Sequence, residues 1–532
     1  MKVLLPSFFL TYVQCANILF VGFYPSKSHQ EIFQAIWTEL SLRGHKLTVL
    51  SPNPIKDPSL VNVTEIDLSD VYRIEGTKNT PSLRSKEFAT KDGIAKLFDF
   101  METIVEYELC NPDVRSLIVD NRKDFDVAII EIHHPAMLAF GYKFNCPVIG
   151  ISSLGIFTSA YNAMGNPINL GLYPELAFQK RLNLTFWERL QSTYDGVWFK
   201  YFYENTVMSR ADEIVKMHFG LDTPYIGDLE RNISLLLLNM DPIFYTPRPV
   251  LPTLINLGHI YIKSDQELAK DFKEDLDEAK EGVIYINLES SIKLSNMTHP
   301  LLSIIVKDLS DLPYKIVWKW SSEYLPGRPE NVVIKKWIPQ QALLGHRNVK
   351  AFVTRGSLSC IEEAIMNGVP LIGIPFADDQ HINVDDMVRV GAGLQLNPFK
   401  LKRGQLRKTI LEVAENRKYR ENMIKVAKIK SDDFMTGVER AVWWTEYVIR
   451  HKGTDHLRSP IQDVPLYQYF LLDVICFTLV GILLILCTSY KVMSIIYNAP
   501  ESKKKKKKKS KKKKRRNNLL ELVQYNNDLI LI

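Results

Sequence analysis

Acidic and amide side chains follow two apolar segments within AFVTRGSLSCIEEAIMNGVPLIGIPFADDQHIN, residues 351–383. The first apolar segment gives way to Arg355-Gly356-Ser357, which predicts a turn from a strand into a helix that begins near Ser359. Backbone N–H groups at a helix start, with the positive end of the helix dipole, suit a pyrophosphate. The Arg355 guanidinium could bind the same anion. A plain strand–helix turn in which small residues merely fit explains this feature equally well.

Two adjacent glutamates lie on the predicted helix. Glu362 and Glu363 point about 100° apart, so only one of them can face a ligand. A carboxylate at this place could accept hydrogen bonds from a ribose diol. Most glutamates on helices are simply solvated, which is the ordinary alternative.

Other groups nearby could bind a sugar and a base. Asp379 and Gln380 come after the next predicted strand, where a carboxylate and an amide together can bind sugar hydroxyls. Upstream, WIPQQALLGH contains Trp337 and Gln340. The indole could stack on a base, and the amide could read the edge of that base.

A candidate general base lies near the N-terminus, in PSKSHQEIFQ. Ser28 and Glu31 form a capping-box pattern, which predicts His29 in the first turn of a helix. The positive helix end disfavours an imidazolium, so the ring would stay neutral and able to accept a proton. A solvated surface histidine is the ordinary alternative.

Two alternating series of strands and helices must position these groups. The first series has short apolar strands in ANILFVGFY, HKLTVLSP, DVAIIEI and PVIGISS, with helical stretches such as HQEIFQAIWTELSLRG between them. The second has strands in GVIYINLE, YKIVWKW, NVVIKKWI, VKAFVTR, PLIGIPF and AGLQL, and a helical stretch over residues 402–452 follows. This alternation predicts two mostly parallel sheets, joined by the proline-rich linker DPIFYTPRPVLPTL. Ligands of such sheets bind outside the carboxyl ends of the strands.

The two ends of the chain have the composition of targeting and membrane segments. Residues 1–16 are typical of a signal peptide, and residues 468–490 are apolar and long enough to span a bilayer. Thirteen basic residues fall in Lys503–Arg516, so the net charge of +7 leaves −6 for the rest of the chain. The position beside the apolar segment favours the positive-inside interpretation over nucleic-acid binding. Residues 491–532 are therefore predicted in the cytosol and the bulk of the chain in the lumen or outside.

Sequons and cysteines are compatible with this orientation. The Asn-X-Ser/Thr sequons all precede the apolar segment, at Asn62, Asn183, Asn232 and Asn296. Of the 6 cysteines, three lie between the predicted signal and membrane segments. Three are too few for a disulfide framework, and no spacing resembles a metal site.

The motifs WIPQQALLGH, AFVTRG, EEAIMNGVPLIGIPFADDQ and Asn383, in this order and spacing, resemble the signature of the UDP-glycosyltransferases, specifically the membrane-anchored, insect-like animal branch. The resemblance extends over nearly the whole chain. It implies the GT-B fold, with two Rossmann-like doubly wound α/β domains that face a cleft, plus a C-terminal single transmembrane helix. The expected domains are an acceptor-binding domain at 17–250 and a UDP-sugar-binding domain with returning helices at 251–455.

The resemblance also implies roles in the donor site. Trp337 is expected to stack on uracil and Gln340 to bond its edge. Glu363 is expected to take the ribose hydroxyls, while Asp379 and Gln380 hold the sugar. The remaining donor-binding candidates are Ser290, Arg355, Gly356, Ser357 and Cys360.

In the acceptor domain, His29 occupies the place of the family's catalytic base, which deprotonates an acceptor hydroxyl. The family orients that histidine with a carboxylate after the fourth strand. Glu131 stands at this position, and the logic of such triads accepts Asp or Glu. His133 and His134 are interpreted as cleft lining or surface.

Three departures from the family pattern fall in the donor site. The phosphate-binding histidine is Arg355 here, with Ser357 in place of the glycine two positions on. A serine near the helix start is Cys360, a weaker hydrogen-bond donor. Glu289 replaces a glycine in the glycine-serine loop, which adds bulk and negative charge beside an anion. The alternative to an active enzyme is therefore a catalytically impaired relative that binds lipophiles or modulates a membrane partner.

The expected reaction is inverting transfer of a sugar from a UDP-sugar to a hydroxyl of a small lipophilic acceptor, such as a phenol, plant toxin or steroid. The insect-like character implies UDP-glucose as the donor, a role in detoxification or inactivation, and no metal. The expected location is the endoplasmic reticulum membrane, single-pass type I, with lumenal catalytic domains. Anionic lipid headgroups could dock at the basic tail, no nucleic acid is expected as a partner, and a homo-oligomer stays open.

Overall fold

A computed structural model describes most of the 532-residue chain. The described residues are 15–74, 90–120, 122–178, 184–241, 247–258, 260, 266–288, 299–376 and 380–528. Several predictions fall outside them: most of the signal peptide, the sequons at Asn183 and Asn296, and the site candidates Glu289, Ser290 and Asp379. The chain divides into a larger unit, Met1–Gln462, and a smaller unit, Asp463–Ile532.

The first sheet of the larger unit is formed by β1 (Asn17–Val21), β2 (Lys46–Ser51), β3 (Val63–Asp67), β4 (Val127–Glu131), β5 (Val148–Ser152), β6 (Leu235–Leu238) and β7 (Leu254–Asn256). The strands are parallel, in the order β3-β2-β1-β4-β5-β6-β7. β1, β2, β4 and β5 are the four predicted strands, and the other three are additional. β7 pairs with β6 and so belongs to the first sheet, although it lies beyond residue 250, the expected domain boundary.

The second sheet is formed by β8 (Val283–Asn287), β9 (Lys315–Lys319), β10 (Val332–Lys335), β11 (Val349–Thr354), β12 (Leu371–Gly373) and β13 (Gly393–Gln395). These strands are also parallel, in the order β10-β9-β8-β11-β12-β13. All six correspond to predicted strands. In both sheets the strand order reverses beside the first strand, and such a switch point opens a crevice at the carboxyl ends.

Helices connect the strands of the larger unit. They are α1 (Lys27–Leu42), α2 (Lys91–Leu109), α3 (Pro112–Val119), α4 (Ala139–Lys143), α5 (Thr158–Ala163), α6 (Phe186–Phe202), α7 (Met208–Phe219), α8 (Ile226–Arg231), α9 (Lys270–Asp277), α10 (His299–Ser310), α11 (Gln340–Leu344), α12 (Leu358–Met366), α13 (Gln380–Arg389), α14 (Gln405–Glu415), α15 (Arg417–Ser431) and α16 (Gly437–His451). α1 places His29 in its first turn, as predicted, but the residue that precedes the helix is Ser26 rather than Ser28.

Each sheet is buried on both faces. Because side chains alternate along a strand, neighbouring residues of β1 enter different cores: Leu19 packs on one face, while Phe20 packs on the other against α1 and α16. Ala441 and Val442 of α16 belong to this second core, although α16 follows the second sheet in sequence. The chain therefore returns to the first sheet after completing the second.

The smaller unit contains α17 (Leu466–Tyr469) and α18 (Leu472–Asp528). Within α18, Leu472–Tyr497 is long and apolar enough to cross a membrane, and no other helix among the described residues meets that criterion. It begins a few residues later than the predicted span at 468–490. The basic run Lys503–Arg516 continues the same helix.

Candidate functional site

A central cleft of about 620 Å³ is lined by residues from both sheet halves of the larger unit. His29 from the start of α1 and Ser153 from the end of β5 line one wall. Ser357, Glu362 and Glu363, at and within α12, line the other. The cleft therefore lies where the carboxyl ends of the strands in the two sheets meet, as expected for sheets of this kind.

A side cavity of about 400 Å³ adjoins the cleft and shares Ser357 and Glu363 with it. Its other lining includes Trp337, Gln340 and Cys360. Trp337 follows β10, and its side chain is 61% exposed, which leaves the indole open to a planar ligand. The side cavity thus combines an open aromatic face with polar groups and a helix start.

Gln340 and Glu363 bond to one another inside the side cavity. The Gln340 carbonyl accepts from Tyr285 Oη at 2.8 Å and from Asn287 Nδ2 at 2.7 Å, while its amide donates to Glu363. Gln341 Nε2 also donates to Glu363, at 3.4 Å. Burial raises the pKa of Glu363, and these amide hydrogen bonds oppose that shift. A ligand that binds either side chain must exchange with partners already present.

The turn between β11 and α12 depends on a glycine. Gly356 has φ of +88°, and a Cβ there would lie 2.3 Å from Val384 Cγ2. Its carbonyl accepts from Asn383 Nδ2 at 3.1 Å. Ser357 occupies the N-cap position of α12 in an extended conformation, and its side chain makes no capping hydrogen bond. The start of α12 therefore lies at both cavities, since Ser357 and Ser359 line each of them.

Glu362 faces a different partner from Glu363. It forms an ion pair with Lys430 of α15, whose Nζ also lies 3.4 Å from Asp241 and donates to the Gly258 carbonyl at 3.1 Å. Glu362, Asp241 and Lys430 are all largely buried. This triad ties the loop after β6 to α12 and α15, so it joins the two halves beneath the cleft.

His29 is held between aromatic rings. Its ring centroid lies 5.5 Å from that of Tyr24, at an interplanar angle of 27°, and 6.4 Å from that of His133, at 40°. Burial, and secondarily the neighbouring His133, lower the pKa of His29 to about 3. Since Nδ1 is buried, Nε2 is the nitrogen left for a ligand in the cleft. The imidazole is neutral at physiological pH and can accept a proton.

Glu131, at the end of β4, forms no hydrogen bond or ion pair with His29 among the described residues. Its Oε2 accepts from the backbone N–H groups of Phe23 and Tyr24, at 3.0 and 2.9 Å, in the loop that leads into α1. Its Oε1 lies 3.7 Å from His133 Nδ1. Burial raises the pKa of Glu131 to about 8, against the effect of the two backbone hydrogen bonds. The carboxyl therefore fixes the loop before His29 and faces His133.

Comparison with known proteins identifies the chain. The sequence model described as UDP-glucoronosyl and UDP-glucosyl transferase matches residues 23–509. The chain belongs to this family.

Relatives agree with this transferase assignment, and solved structures show the fold. UDP-glucosyltransferase 2 of Dactylopius coccus is 31% identical over 460 residues, which cover 85% of this chain and 88% of that protein. Ecdysteroid UDP-glucosyltransferase of Spodoptera littoralis nuclear polyhedrosis virus is 30% identical over 483 residues, covering 85% and 91%. The crystal structure of glycosyltransferase VinC in complex with DTDP matches with a TM-score of 0.56 at 16% identity, over 82% of this chain and 100% of that one. The chain is thus a glycosyltransferase, and the predicted GT-B fold is confirmed.

The transferase brings together many of the predicted site residues. The cleft and side cavity contain His29, Trp337, Gln340, Ser357, Cys360 and Glu363. Arg355 is not among the described residues that line them, since its side chain is buried and its guanidinium lies 4.9 Å from the Phe376 ring centroid. Gln380 is likewise buried, and its Oε1 accepts from the Phe376 N–H at 3.0 Å. Asp379 and Ser290 lie outside the described residues.

The sequence predictions missed several lining residues of the transferase, among them Ser153, Asn287 and Lys319. Each lies at or just after the carboxyl end of a strand, β5, β8 and β9 respectively. The strand-end rule applied to every predicted strand would have found them. Among the described residues, no group of three or more His, Cys, Asp and Glu could hold a metal, and metal independence stays a prediction.

Proposed function

We propose that this glycosyltransferase moves glucose from UDP-glucose to a hydroxyl of a small lipophilic acceptor, with inversion at the anomeric carbon. The observation that carries the proposal is the continuity of the two cavities. A neutral imidazole lies on one wall of the cleft, and the polar side cavity opens from the other. Such a geometry can hold an acceptor oxygen beside a base and a nucleotide sugar opposite to it.

The side cavity is the proposed donor site. Trp337 stacks on uracil, and the N–H groups at the start of α12, with Ser357, bind the diphosphate. Glu363 accepts from the ribose hydroxyls once its bond to Gln340 opens, and the released Gln340 amide bonds the base edge. Gln380, Asp379 and Ser290 complete the sugar and phosphate contacts. Arg355 stabilises the turn between β11 and α12 through the stacking of its guanidinium on Phe376.

In the proposed reaction His29 takes the proton of the acceptor hydroxyl on Nε2. The acceptor oxygen forms a bond to the anomeric carbon from the face opposite UDP. The bond between that carbon and the phosphate oxygen breaks, and UDP leaves with the electron pair. Glu131 contributes by holding the backbone that leads into α1, which sets the position of His29.

The remaining assignments concern acceptor and location. Most of the exposed surface of the cleft is apolar, although many of its lining residues are polar, and this surface suits a lipophilic acceptor such as a phenol, plant toxin or steroid. The relative named for ecdysteroid glucosylation supports the steroid class.

We assign Leu472–Tyr497 as a type I anchor in the endoplasmic reticulum membrane, with the basic tail in the cytosol on anionic headgroups. Detoxification or inactivation of lipophiles is the proposed role.

The test uses the full chain in detergent micelles. Thermal unfolding is followed with and without UDP, since a ligand at a hundred times its dissociation constant adds about 2.7 kcal/mol of stability. Transfer from UDP-glucose to phenol and para-nitrophenol is then assayed. A UDP shift with sugar transfer supports the proposal. If UDP produces no shift while Glu289→Gly restores one, the donor site is blocked and the impaired-relative alternative is correct.

A further inference from the structure

Three buried polar atoms beside the proposed base lack a hydrogen-bond partner among the described residues. They are His29 Nδ1, His133 Nδ1 and Glu131 Oε1. The three side chains are neighbours, since the two rings lie 6.4 Å apart and Glu131 Oε1 lies 3.7 Å from His133 Nδ1. Buried polar atoms are nearly always paired, so a cluster of unpaired ones requires an explanation.

The hydrogen bonds of Ser152 determine which nitrogen of His133 carries its proton. Ser152 Oγ accepts from the Leu154 N–H at 3.1 Å and donates to the Gly155 carbonyl at 3.3 Å. Its one proton is thereby used, so His133 Nε2, at 3.4 Å, must be the donor in that contact. Since burial lowers the pKa of His133 to about 4, the ring is neutral. His133 Nδ1 therefore presents a lone pair.

Glu131 faces that lone pair with its free oxygen. Its Oε2 is occupied by the Phe23 and Tyr24 N–H groups. Burial, and secondarily the neighbouring Glu131, raise the pKa of Glu108, a second carboxyl that is fully buried in this region. Glu131 Oε1 lies 3.7 Å from His133 Nδ1, beyond hydrogen-bond length, so the carboxyl borders that lone pair without occupying it. The imidazole of His133 is thus held by Ser152 at Nε2, with the Glu131 carboxyl packed beside its Nδ1.

We infer that His133 is a positioning residue of the transfer reaction, standing between Glu131 and His29 in place of a direct contact between carboxyl and base. The inference rests on the proposed function. When His29 takes the acceptor proton, its Nδ1–H needs an acceptor in a region that water does not reach. His133, anchored on Ser152, places a ring with a free lone pair on Nδ1 next to the His29 ring for this purpose.

The test compares four variants of the full chain in detergent micelles: His133→Ala, Glu131→Gln, the double variant, and the control His134→Asn. His134 is a matched control because it is the adjacent buried histidine, but its Nδ1 caps a short 3-10 helix by accepting from the Ala136 N–H. Asparagine preserves this capping. Each variant is assayed for UDP-induced thermal shift, for KM of UDP-glucose, and for kcat with two acceptors. Phenol must lose its proton in the reaction, whereas para-nitrophenol is largely ionised at mildly alkaline pH.

We expect His133→Ala to lower kcat with phenol by at least about tenfold, because the base is no longer held in place. The loss with para-nitrophenol should be smaller, and the UDP shift and KM should stay at wild-type values. The double variant should lose no more than the more damaging single variant, because the two residues act through one contact. His134→Asn should keep wild-type kcat with both phenols.

Several outcomes would overturn the inference. Wild-type kcat in His133→Ala, equal losses with both phenols, or losses that multiply in the double variant would each show that Glu131 acts without His133. If His133→Ala does not fold, His133→Gln, which keeps a donor for Ser152, must still show the difference between the two phenols. A wild-type chain that transfers sugar from no UDP-sugar contradicts the proposed function itself, and the inference with it.

Discussion

The two walls of the cleft differ in how the hydrogen-bonding atoms of their candidate functional side chains are paired. On the reaction side, His29 and Glu131 leave buried atoms without hydrogen-bond partners among the described residues. On the donor side, Gln340 and Glu363 bond to one another and to further side chains. The reaction side therefore holds its candidate base and carboxyl with unsatisfied atoms in fixed places, whereas on the donor side Gln340 and Glu363 are satisfied and must exchange partners to bind a ligand.

This difference predicts that the two sides of the cleft affect different quantities, the rate of transfer on one side and the affinity for UDP on the other. An unpaired buried atom is destabilising in the resting protein and becomes favourable only when a proton or charge arrives, so its effect falls on the transition state. A paired group exchanges one hydrogen bond for another on binding, and its net contribution to affinity is modest. We therefore expect substitutions on the reaction side to lower kcat and those on the donor side to weaken UDP binding.

The largest expected effect is at His29. His29→Ala should lower kcat with phenol about a thousandfold, because general base catalysis is lost. The UDP-induced thermal shift should stay, since His29 does not line the side cavity. Initial rates at saturating UDP-glucose measure the change. A loss below about tenfold, or loss of UDP binding, would remove the distinction between the two walls.

Lys430 tests how the walls are held together. Lys430→Met leaves Glu362 and Asp241 as buried carboxylates without their shared cation, so the free energy of unfolding should fall by about 3 kcal/mol. Urea unfolding of the full chain measures the loss. The matched control is Lys428→Met, because Lys428 lies on the same helix and is exposed. Equal stability of the two variants would show that the buried triad does not join the halves.

The second sheet could be predicted more completely than the first, for local reasons. Its six strands are short apolar runs bounded by turn residues, and each was recognised. In the first sheet β3 has the sequence VTEID and β6 is four leucines. Neither shows a clean period of two, and β7 has only three residues. These strands are stabilised by pairing with their neighbours in the sheet, and that pairing cannot be read from their own residues.

The site shows the same limit. The divergence of Glu362 and Glu363 follows from helix geometry alone and was predicted. The partners of Glu131 could not be predicted from local sequence. Two of them are backbone N–H groups about a hundred residues away in the chain, and the contact with His133 depends on how that side chain is oriented. Arg355 was expected at the phosphate, yet its stacking on Phe376 depends on where β12 ends.

Trp337 tests the donor wall. Trp337→Ala should weaken UDP binding by about 2 kcal/mol, roughly thirtyfold, because stacking on the base is lost. At saturating UDP-glucose kcat should change little, since the indole touches no reacting atom. Titration calorimetry with UDP measures the affinity. Trp187→Ala is the control, because Trp187 is also exposed but lies on α6, away from both cavities. An unchanged dissociation constant for Trp337→Ala would contradict the stacking role.

The smallest expected effect is at His134, where the pH dependence of the unfolding free energy measures burial on the reaction side without any contribution from catalysis. Burial lowers the pKa of His134 to about 3, so the unfolded chain binds a proton below about pH 6.5 that the folded chain does not. Stability from this residue is complete above that pH and is lost as the pH falls. His134→Asn keeps the cap and removes the titration. Between about pH 7 and pH 5.5 the variant should therefore lose about 1 kcal/mol less unfolding free energy than the wild type. Urea unfolding at both pH values measures this difference, while any packing loss in the variant is the same at each pH and cancels. Equal pH dependence in the two proteins would mean that His134 already binds a proton when folded, and that the reaction wall is less dehydrated than its geometry indicates.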